Sequence, residues 1–331
     1  MTTLDEHRRL VDTAGAFVTE GWGQFELAGS DAGALVNRIA TADVSQLPPG
    51  RFARALLLRD DASILSLVTV HRFPDRVLLV VPPAQRSEAW QHLVARKHGT
   101  VRLRDISDDV GLVIVRGPDA VNRLAIGMRP GPADPGQVHN ARLGGIDLFV
   151  ARASTDGPDG VDLFCRMNDR VALMELLRSL AVLSVGEGPW QLLQMEWGIA
   201  DVGHGIDPGD TPIEAGLEHL VAEGKGAPFP GEGALAARRR TGALKRLVGF
   251  RVAGSRRPQV GSVVRVGGHA VDRVRAVTWS PRVGVIGLAA VPTSALAPGA
   301  MLSIEADETA WPAEIVGPPF VSREEPWGNG T

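Results

Sequence analysis

The sequence predicts an α+β fold: two related lobes of mixed helix and strand, followed by a small C-terminal β-barrel. Three observations carry this expectation. The pattern "strand, Gly, x, Asp-Ala, helix" occurs twice, at FELAGSDA (25–32) and VIVRGPDA (113–120), which suggests two related α+β lobes. Helical and strand periods alternate up to residue 240. From Lys245 onward only short strands remain, each punctuated by Gly or Pro: KRLVGFRV, GSVVRVGG, RVRAVTW, GVIGLAAV, MLSIEA and AEIVG. Strands at this spacing are the pattern of a compact all-β domain. The predicted domains are therefore 1–240 and 245–325, with the boundary in the arginine-rich AARRRTGALKR (236–246).

The elements follow in order. In SDAGALVNRI (30–39), Ala32, Leu35, Val36 and Ile39 recur at helical spacing, with Ser30 and Asp31 as N-cap candidates. ARALLLRD and SILSLVTVHRF (53–73) are strands separated by the polar turn Asp60-Asp61. VLLVVPP (77–83) is a buried strand ended by Pro82-Pro83, because proline cannot donate to a ladder. Gln85 to Lys97 packs back as a helix, and VNRLAI forms another after the second Gly-x-Asp-Ala. MRPGPADPGQVHN (128–140) is a Pro/Gly-rich surface loop. DLFVAR and GVDLFCRM pair as a hairpin around the turn Thr155 to Gly160. DRVALMELLRSLAV (169–182) and PWQLLQMEWGI (189–199) are helices, and so is EAGLEHLV (214–221).

Composition narrows the function classes. A chain of 331 residues is long enough for two or three domains. A formal net charge of −3 and a pI near 6.3 lack the basic footprint of a nucleic-acid binder. No apolar run approaches the ~18 residues of a membrane helix, and the charged MTTLDEHRRLVDTAG has no signal-peptide core. A soluble cytoplasmic protein is expected, with no nucleic-acid or membrane partner and any protein partner unspecified. Cys165, the single cysteine, excludes an intramolecular disulfide and sits in an apolar strand as an inert thiol. His204 and His219, with Asp201, Asp207 and Asp210 nearby, lack the spacing of a zinc site, so no metal is expected.

The stretch from Leu192 to Leu235, LLQMEWGIADVGHGIDPGDTPIEAGLEHLVAEGKGAPFPGEGAL, has the character of one functional module. Glu196 follows an apolar run and adjoins Trp197. A Gly- and Asp-rich loop comes next, then TPIEAGLEHLV, Lys225-Gly226 and the turn Phe229-Pro230-Gly231. The order resembles the folate-binding core of the glycine-cleavage aminomethyltransferase (T-protein) superfamily, which includes the YgfZ-like folate-binding proteins of iron–sulfur maintenance. FELAGSDAGALVNRIATADVSQLPPGRF (25–52) resembles the family's opening segment, and VRAVTWSPRVGVIGLAAVP (274–292) its "S-P-x-x-G" barrel segment. TAWPAEIVGPPFV (309–321) resembles its last strand and exit.

The resemblance implies tetrahydrofolate, or a one-carbon-substituted form, as the cofactor. A pterin presents a row of N–H donors, and one carboxylate accepts two of them in a charge-assisted fork. Glu196 falls at the family's pterin-binding glutamate; by residue type alone it is a solvated glutamate or the partner of an arginine. Trp197 offers a stacking face, the alternative being ordinary packing. Lys225 falls where relatives place a basic residue toward the folate's glutamate tail, the alternative being a solvated loop lysine. Arg238, Arg239 and Arg240 form a solvated run.

The departures bear on chemistry. The aminomethyltransferase motif "V-V-N-A-x-x-R-x-K-D" ends in the Asp tied to the aminomethyl group. The matching stretch here is VVPPAQRSEA (80–89), with Pro82 at the Asn and Ala89 at the Asp. Alanine cannot move a proton, and Glu88 lies about 100° away around a helix. The reactive cysteine of the YgfZ-like "K-G-C-Y-x-G-Q-E" is also missing after Lys225-Gly226, so no catalytic residue is assigned. The resemblance therefore implies a divergent folate-dependent one-carbon transferase, not glycine cleavage itself. The alternatives are a non-catalytic YgfZ-like folate-binding factor and a repurposed pocket that no longer uses folate.

Overall fold

The computed structural model describes residues 2–153, 157–254, 257–296, 300–306 and 309–322. The chain forms two compact units, one of residues 1–58, 65–190 and 220–230, the other of 59–64, 191–219 and 231–331.

The first unit opens with α1 (Thr3–Asp12), started by a capping box between Thr2 and Asp5. β1 (Gly15–Val18), β2 (Gly23–Ala28), α2 (Ala32–Ile39), β3 (Arg51–Leu58), β4 (Ile64–Arg72), β5 (Arg76–Val81), α3 (Arg86–Ala95) and β6 (Arg102–Asp105) follow. Next come β7 (Val110–Arg116), α4 (Ala120–Ala125), β8 (Met128–Arg129), β9 (Val138–Leu143), β10 (Ile146–Arg152), β11 (Gly160–Arg166), α5 (Arg170–Ser179) and β12 (Leu183–Val185). Two sheets result, ordered β3-β4-β5-β2-β6 and β12-β1-β7-β11-β10-β9-β8. The lobes interlock, because β1 joins the second sheet while β2 starts the first.

The repeated sequence signature has one structural meaning in both lobes. Gly29 (φ +120°) follows β2, and a Cβ there would sit 2.1 Å from the Thr100 carbonyl oxygen. Gly117 (φ +131°) follows β7, and its Cβ would sit 2.3 Å from the Thr13 carbonyl oxygen. Each strand thus turns into its helix through a conformation and a close approach that only glycine tolerates. Asp31 occupies the N-cap position but does not cap; its carboxylate accepts instead from the Thr100 N–H at 2.7 Å.

Helix and strand faces then close separate cores. Phe25, Leu27, Leu35, Ile39, Leu79 and Leu93 fill the first. Val113, Val115, Leu124, Val150, Leu163 and Leu177 fill the second. Where the two sheets meet, Phe149 and Phe164 stack at 4.5 Å, and His71 of β4 lies against them and Phe52.

Two local expectations are corrected. The 128–140 segment is not wholly loop: it supplies β8 and the start of β9, because Val138 and Ala141 find buried places beside β10. EAGLEHLV is not a helix. Only a 3₁₀ turn at Glu218–Leu220 forms, since Gly216 takes φ +71° and leaves the helical path. Part of the turn expected at Thr155 to Gly160 lies outside the described residues.

The second unit contains α7 (Glu232–Thr241), preceded by α6 (Glu187–Glu196), β13 (Asp201–Val202) and β14 (Gly205–Ile206). Arg238, Arg239 and Arg240 stand in the last turn of α7, where cations meet the negative end of the helix dipole. The strands β15 (Lys245–Val252), β16 (Val263–Val266), β17 (His269–Arg273), β18 (Ala276–Ser280), β19 (Gly284–Pro292), β20 (Met301–Ala306) and β21 (Thr309–Val316) pair antiparallel in the order β17-β16-β20-β21-β15-β19-β18. β17 also packs on β19, so the two ends of the sheet approach each other as in a barrel. Val248, Phe250, Val264, Val291 and Ile304 fill it. Among the described residues, no helix is long and apolar enough to cross a membrane.

Candidate functional site

Glu196 is the last residue of α6 and is fully buried. Three backbone bonds wind the chain shut behind it: Trp197 N–H to Leu193 O, Gly198 N–H to Met195 O, and Ile199 N–H to Gln194 O. Gly198 at φ +67° makes this helix end possible. The backbone oxygen of Glu196 accepts from the Phe320 N–H at 2.8 Å, which fastens the chain's exit segment to the helix end.

The carboxylate is engaged at both oxygens. Ser280 Oγ donates to Oε1 at 2.5 Å, and Arg282 Nη1 lies 3.2 Å from Oε2. The direction of the hydroxyl proton follows from the turn that holds it. Ser280 Oγ accepts from the Arg282 and Val283 N–H groups, at 3.0 and 3.3 Å, so its single proton is directed to Glu196. This turn links β18 to β19 and ends at Gly284, whose φ of +78° suits the left-handed position of a three-residue hairpin loop. Arg282 is 4 % exposed, and its Nη2 also donates to the Ser322 carbonyl at 3.2 Å. The arginine partner that residue type alone left open for Glu196 is thus present, and it comes from the S-P-R-x-G segment. The sequence reading assigned no role to Ser280 or Arg282; their only signal was that the segment follows a strand as a tight turn carrying a hydroxyl and a cation.

Trp197 is half-buried and lies directly beside Glu196 in sequence. Lys225 belongs to the other unit and is buried, with Nζ donating to the carbonyls of Asn37, Ala40 and Ala42, the last two at 2.6 and 3.3 Å. An ammonium has three N–H donors, and these contacts clamp the chain that leaves α2. Lys225 is therefore not the solvated loop lysine of the alternative reading. Its Nζ also sits 5.0 Å from the Phe229 ring centroid, a cation–π contact.

The Gly- and Asp-rich loop after Glu196 is held by charge. Asp210 is 1 % exposed, with Lys245 Nζ at 2.9 Å from Oδ1 and Arg275 on Oδ2. Burial pushes its pKa up, but Lys245 and Arg275 outweigh that and hold it below the usual carboxylate range. Arg275 also meets Asp207 at 3.0 Å and Asp272 at 2.8 Å. A structural clasp results, and among the described residues no group of His, Cys, Asp or Glu side chains is placed to hold a metal ion. His204 and His219 are both exposed.

At the family's acid position, Ala89 of α3 is fully buried in the first lobe's core. Pro82 ends β5 and precedes a 3₁₀ turn at Pro83–Gln85. Cys165 is 4 % exposed, and burial pushes its thiol up to about 11, so it is not a nucleophile at neutral pH.

Two interlocked α+β lobes with an appended β-barrel and a buried carboxylate at the end of α6 define a recognisable class. The family model described as the GCVT N-terminal domain matches residues 1–225, and that of the glycine cleavage T-protein C-terminal barrel domain matches residues 245–322. The chain belongs to the glycine cleavage T-protein family. A probable aminomethyltransferase of Natronomonas pharaonis is 31% identical over 309 residues, covering 90% of this chain and 85% of the relative. Aminomethyltransferases of Rubrobacter xylanophilus and Symbiobacterium thermophilum are 30% and 29% identical, each over 96% of this chain and over 86% and 89% of their own lengths. The glycine cleavage system aminomethyltransferase T of Bartonella henselae shares the fold, with a TM-score of 0.89 and 23% identity over 98% of this chain and 90% of that one.

Proposed function

We propose that the chain is a tetrahydrofolate-dependent one-carbon transferase acting on a small molecule, with Glu196 as the group that holds the pterin. The observation that carries this reading is the pre-set carboxylate: fully buried, fixed by Ser280 and Arg282, at the family's pterin-binding position. The donor set fits the group. Each carboxylate oxygen has two lone-pair sites, the kind of acceptor that a fork of pterin N–H donors needs. Arg282 keeps the carboxylate aimed, and Trp197 beside it supplies an aromatic face. Folate, when bound, carries or accepts the one-carbon unit at its N5/N10 edge. Lys225 acts through the loop it clamps rather than on the folate tail.

The names of the aminomethyltransferase relatives support a substrate class of aminomethyl or methyl compounds. Ala89 directs it away from glycine cleavage, since a buried methyl group cannot serve as the acid or base that such a position supplies elsewhere, worth typically 10²–10⁴-fold. A second reading is favoured by the same absence together with the inert Cys165: a non-catalytic folate-binding factor resembling the YgfZ-like branch.

Titration calorimetry with reduced folate tests the shared core of both readings. Wild type should bind, and Glu196→Gln should weaken binding about tenfold to a hundredfold, the worth of about 1.5–3 kcal/mol from a charged hydrogen-bond pair. No binding by wild type, or equal binding by the variant, would sink it. Ammonia release from an aminomethylated lipoyl carrier protein should stay near background; turnover there would assign glycine cleavage instead. Methylene-tetrahydrofolate formed from small N-methyl compounds would separate the transferase from the binding factor.

A further inference from the structure

Positive charge is concentrated at one sheet edge of the first unit. RKHGTVRLR (96–104) carries Arg96, Lys97, His98, Arg102 and Arg104 with no carboxylate, in a chain whose formal net charge is −3. The run leads from the end of α3 into β6, the outermost strand of its sheet. Lys97, His98, Thr100, Arg102 and Arg104 are exposed, and Arg38 of α2 joins them with its Nη1 3.2 Å from His98 Nε2. Three carboxylates lie close by, and all are engaged: Asp105, the last residue of β6, meets Arg86 at 3.1 Å. Glu26 is shared between Arg104 at 3.5 Å and Arg76 at 3.6 Å, and Asp31 accepts from the Thr100 N–H. Among the described residues, Lys97 and Arg102 have no ion pair, whereas Arg8, Arg142 and Arg246 each meet a carboxylate.

Its shape is as specific as its charge. Beside the strand opens a cleft of about 490 Å³ lined by Ala28, Gly29, Lys97, Thr100, Val101 and Arg102. β6 pairs with β2 in the register Leu103↔Leu27 and Arg104↔Glu26, and among the described residues its other backbone edge meets no further strand. Leu103 packs on the lobe's core, so Arg102 and Arg104 project from the opposite face. A chain laid along this edge would set every second side chain opposite those arginines, with apolar side chains between them continuing over Leu103. A second copy of β6 would bring arginines against arginines, so self-pairing is disfavoured. No aromatic residue lines the cleft, so single-stranded nucleic acid would find no stacking platform.

From this we infer that β6 is a docking edge for an extended acidic segment of a partner protein. The segment carries carboxylates at alternate positions and adds to the sheet as one more strand.

Fluorescence anisotropy on the full chain tests this with two labelled peptides of equal composition, one alternating glutamate and valine, the other with its glutamates in one block. The alternating peptide should bind about tenfold more tightly, and Lys97→Glu with Arg102→Glu should weaken it by at least about tenfold. Both positions are exposed, so the circular dichroism spectrum should not change. Hydrogen exchange on the wild type should show new protection of β6 amides when the alternating peptide binds. Equal affinity for the two peptides, unchanged binding by the charge-reversed variant, absent β6 protection, or displacement of the peptide by a single-stranded RNA oligomer would each overturn the inference.

Discussion

Acidification should destabilise the first unit through His71 before the ordinary carboxylates titrate. The side chain is 1 % exposed, with its ring 5.4–5.5 Å from those of Phe52, Phe149 and Phe164. Among the described residues, neither ring nitrogen has a hydrogen-bond partner at normal distance and angle, and the nearby Leu78 backbone only weakly favours the protonated ring. Burial pushes its pKa from 6.5 down to about 4, and the charge of Asp162 opposes this only in part. The unfolded chain therefore takes up a proton as pH falls through 6.5, while the folded chain does so only near 4. Stability is complete above the unfolded value and is lost across that window. The interval corresponds to about 3 kcal/mol, at roughly 1.36 kcal/mol per pH unit. Urea unfolding of wild type and His71→Phe should reveal it, because phenylalanine keeps the aromatic packing and removes the proton site. Between about pH 7.5 and about pH 4.5, wild type should lose about 2.5 kcal/mol more than the variant. Parallel pH curves for the two proteins would refute the reasoning.

Four further outcomes are expected. Arg282→Met strands the buried Glu196 charge and should cost about 3–5 kcal/mol in denaturant unfolding; a Glu196→Gln background should recover part of that, and strictly additive costs would show the pair is not coupled. Ala89→Asp should lower thermal stability by about 2–4 kcal/mol without raising aminomethyl transfer, because a carboxylate there enters an apolar core; a stable, active variant would contradict the packing argument. Gly231→Ala should cost more than about 1 kcal/mol by urea midpoint, since Gly231 has φ +77° and an added Cβ would lie 2.4 Å from the Arg59 carbonyl oxygen. Lys225→Met should cost at least about 1.5–3 kcal/mol, read from the same curves, by leaving the carbonyls of the α2 exit without their cation.

Where periodicity and local chemistry agreed, the elements were legible. α2 and α5 bury one face at helical spacing, and β4, β5 and the strands after Lys245 are short apolar runs bounded by turn residues, so each is written in consecutive residues. α1, β1 and β6 were not legible. β1 and β6 have four residues each and are strands because a distant partner pairs with them, β7 and β12 for β1, and β2 for β6. EAGLEHLV was misread as a helix because its spacing cannot register that Gly216 takes φ +71° and breaks the path.

The same division runs through the candidate site. The residues alone determined that the chain has two Gly-x-Asp-Ala turns, a carboxylate closing an apolar helix, and no acid at position 89, since each is a matter of residue identity within a short window. Only the tertiary structure decided what those residues meet. Ser280 and Arg282 reach Glu196 from 84 and 86 positions away, and Lys225 reaches Asn37 across 188. A buried charge is fixed by whichever counter-charge the fold carries to it, and that pairing depends on strand order rather than on neighbouring sequence. The energetic reason is general: desolvating a carboxylate or an ammonium is tolerable only where partners already wait, and the chain supplies those partners only once the lobes and the barrel have each closed on their own cores.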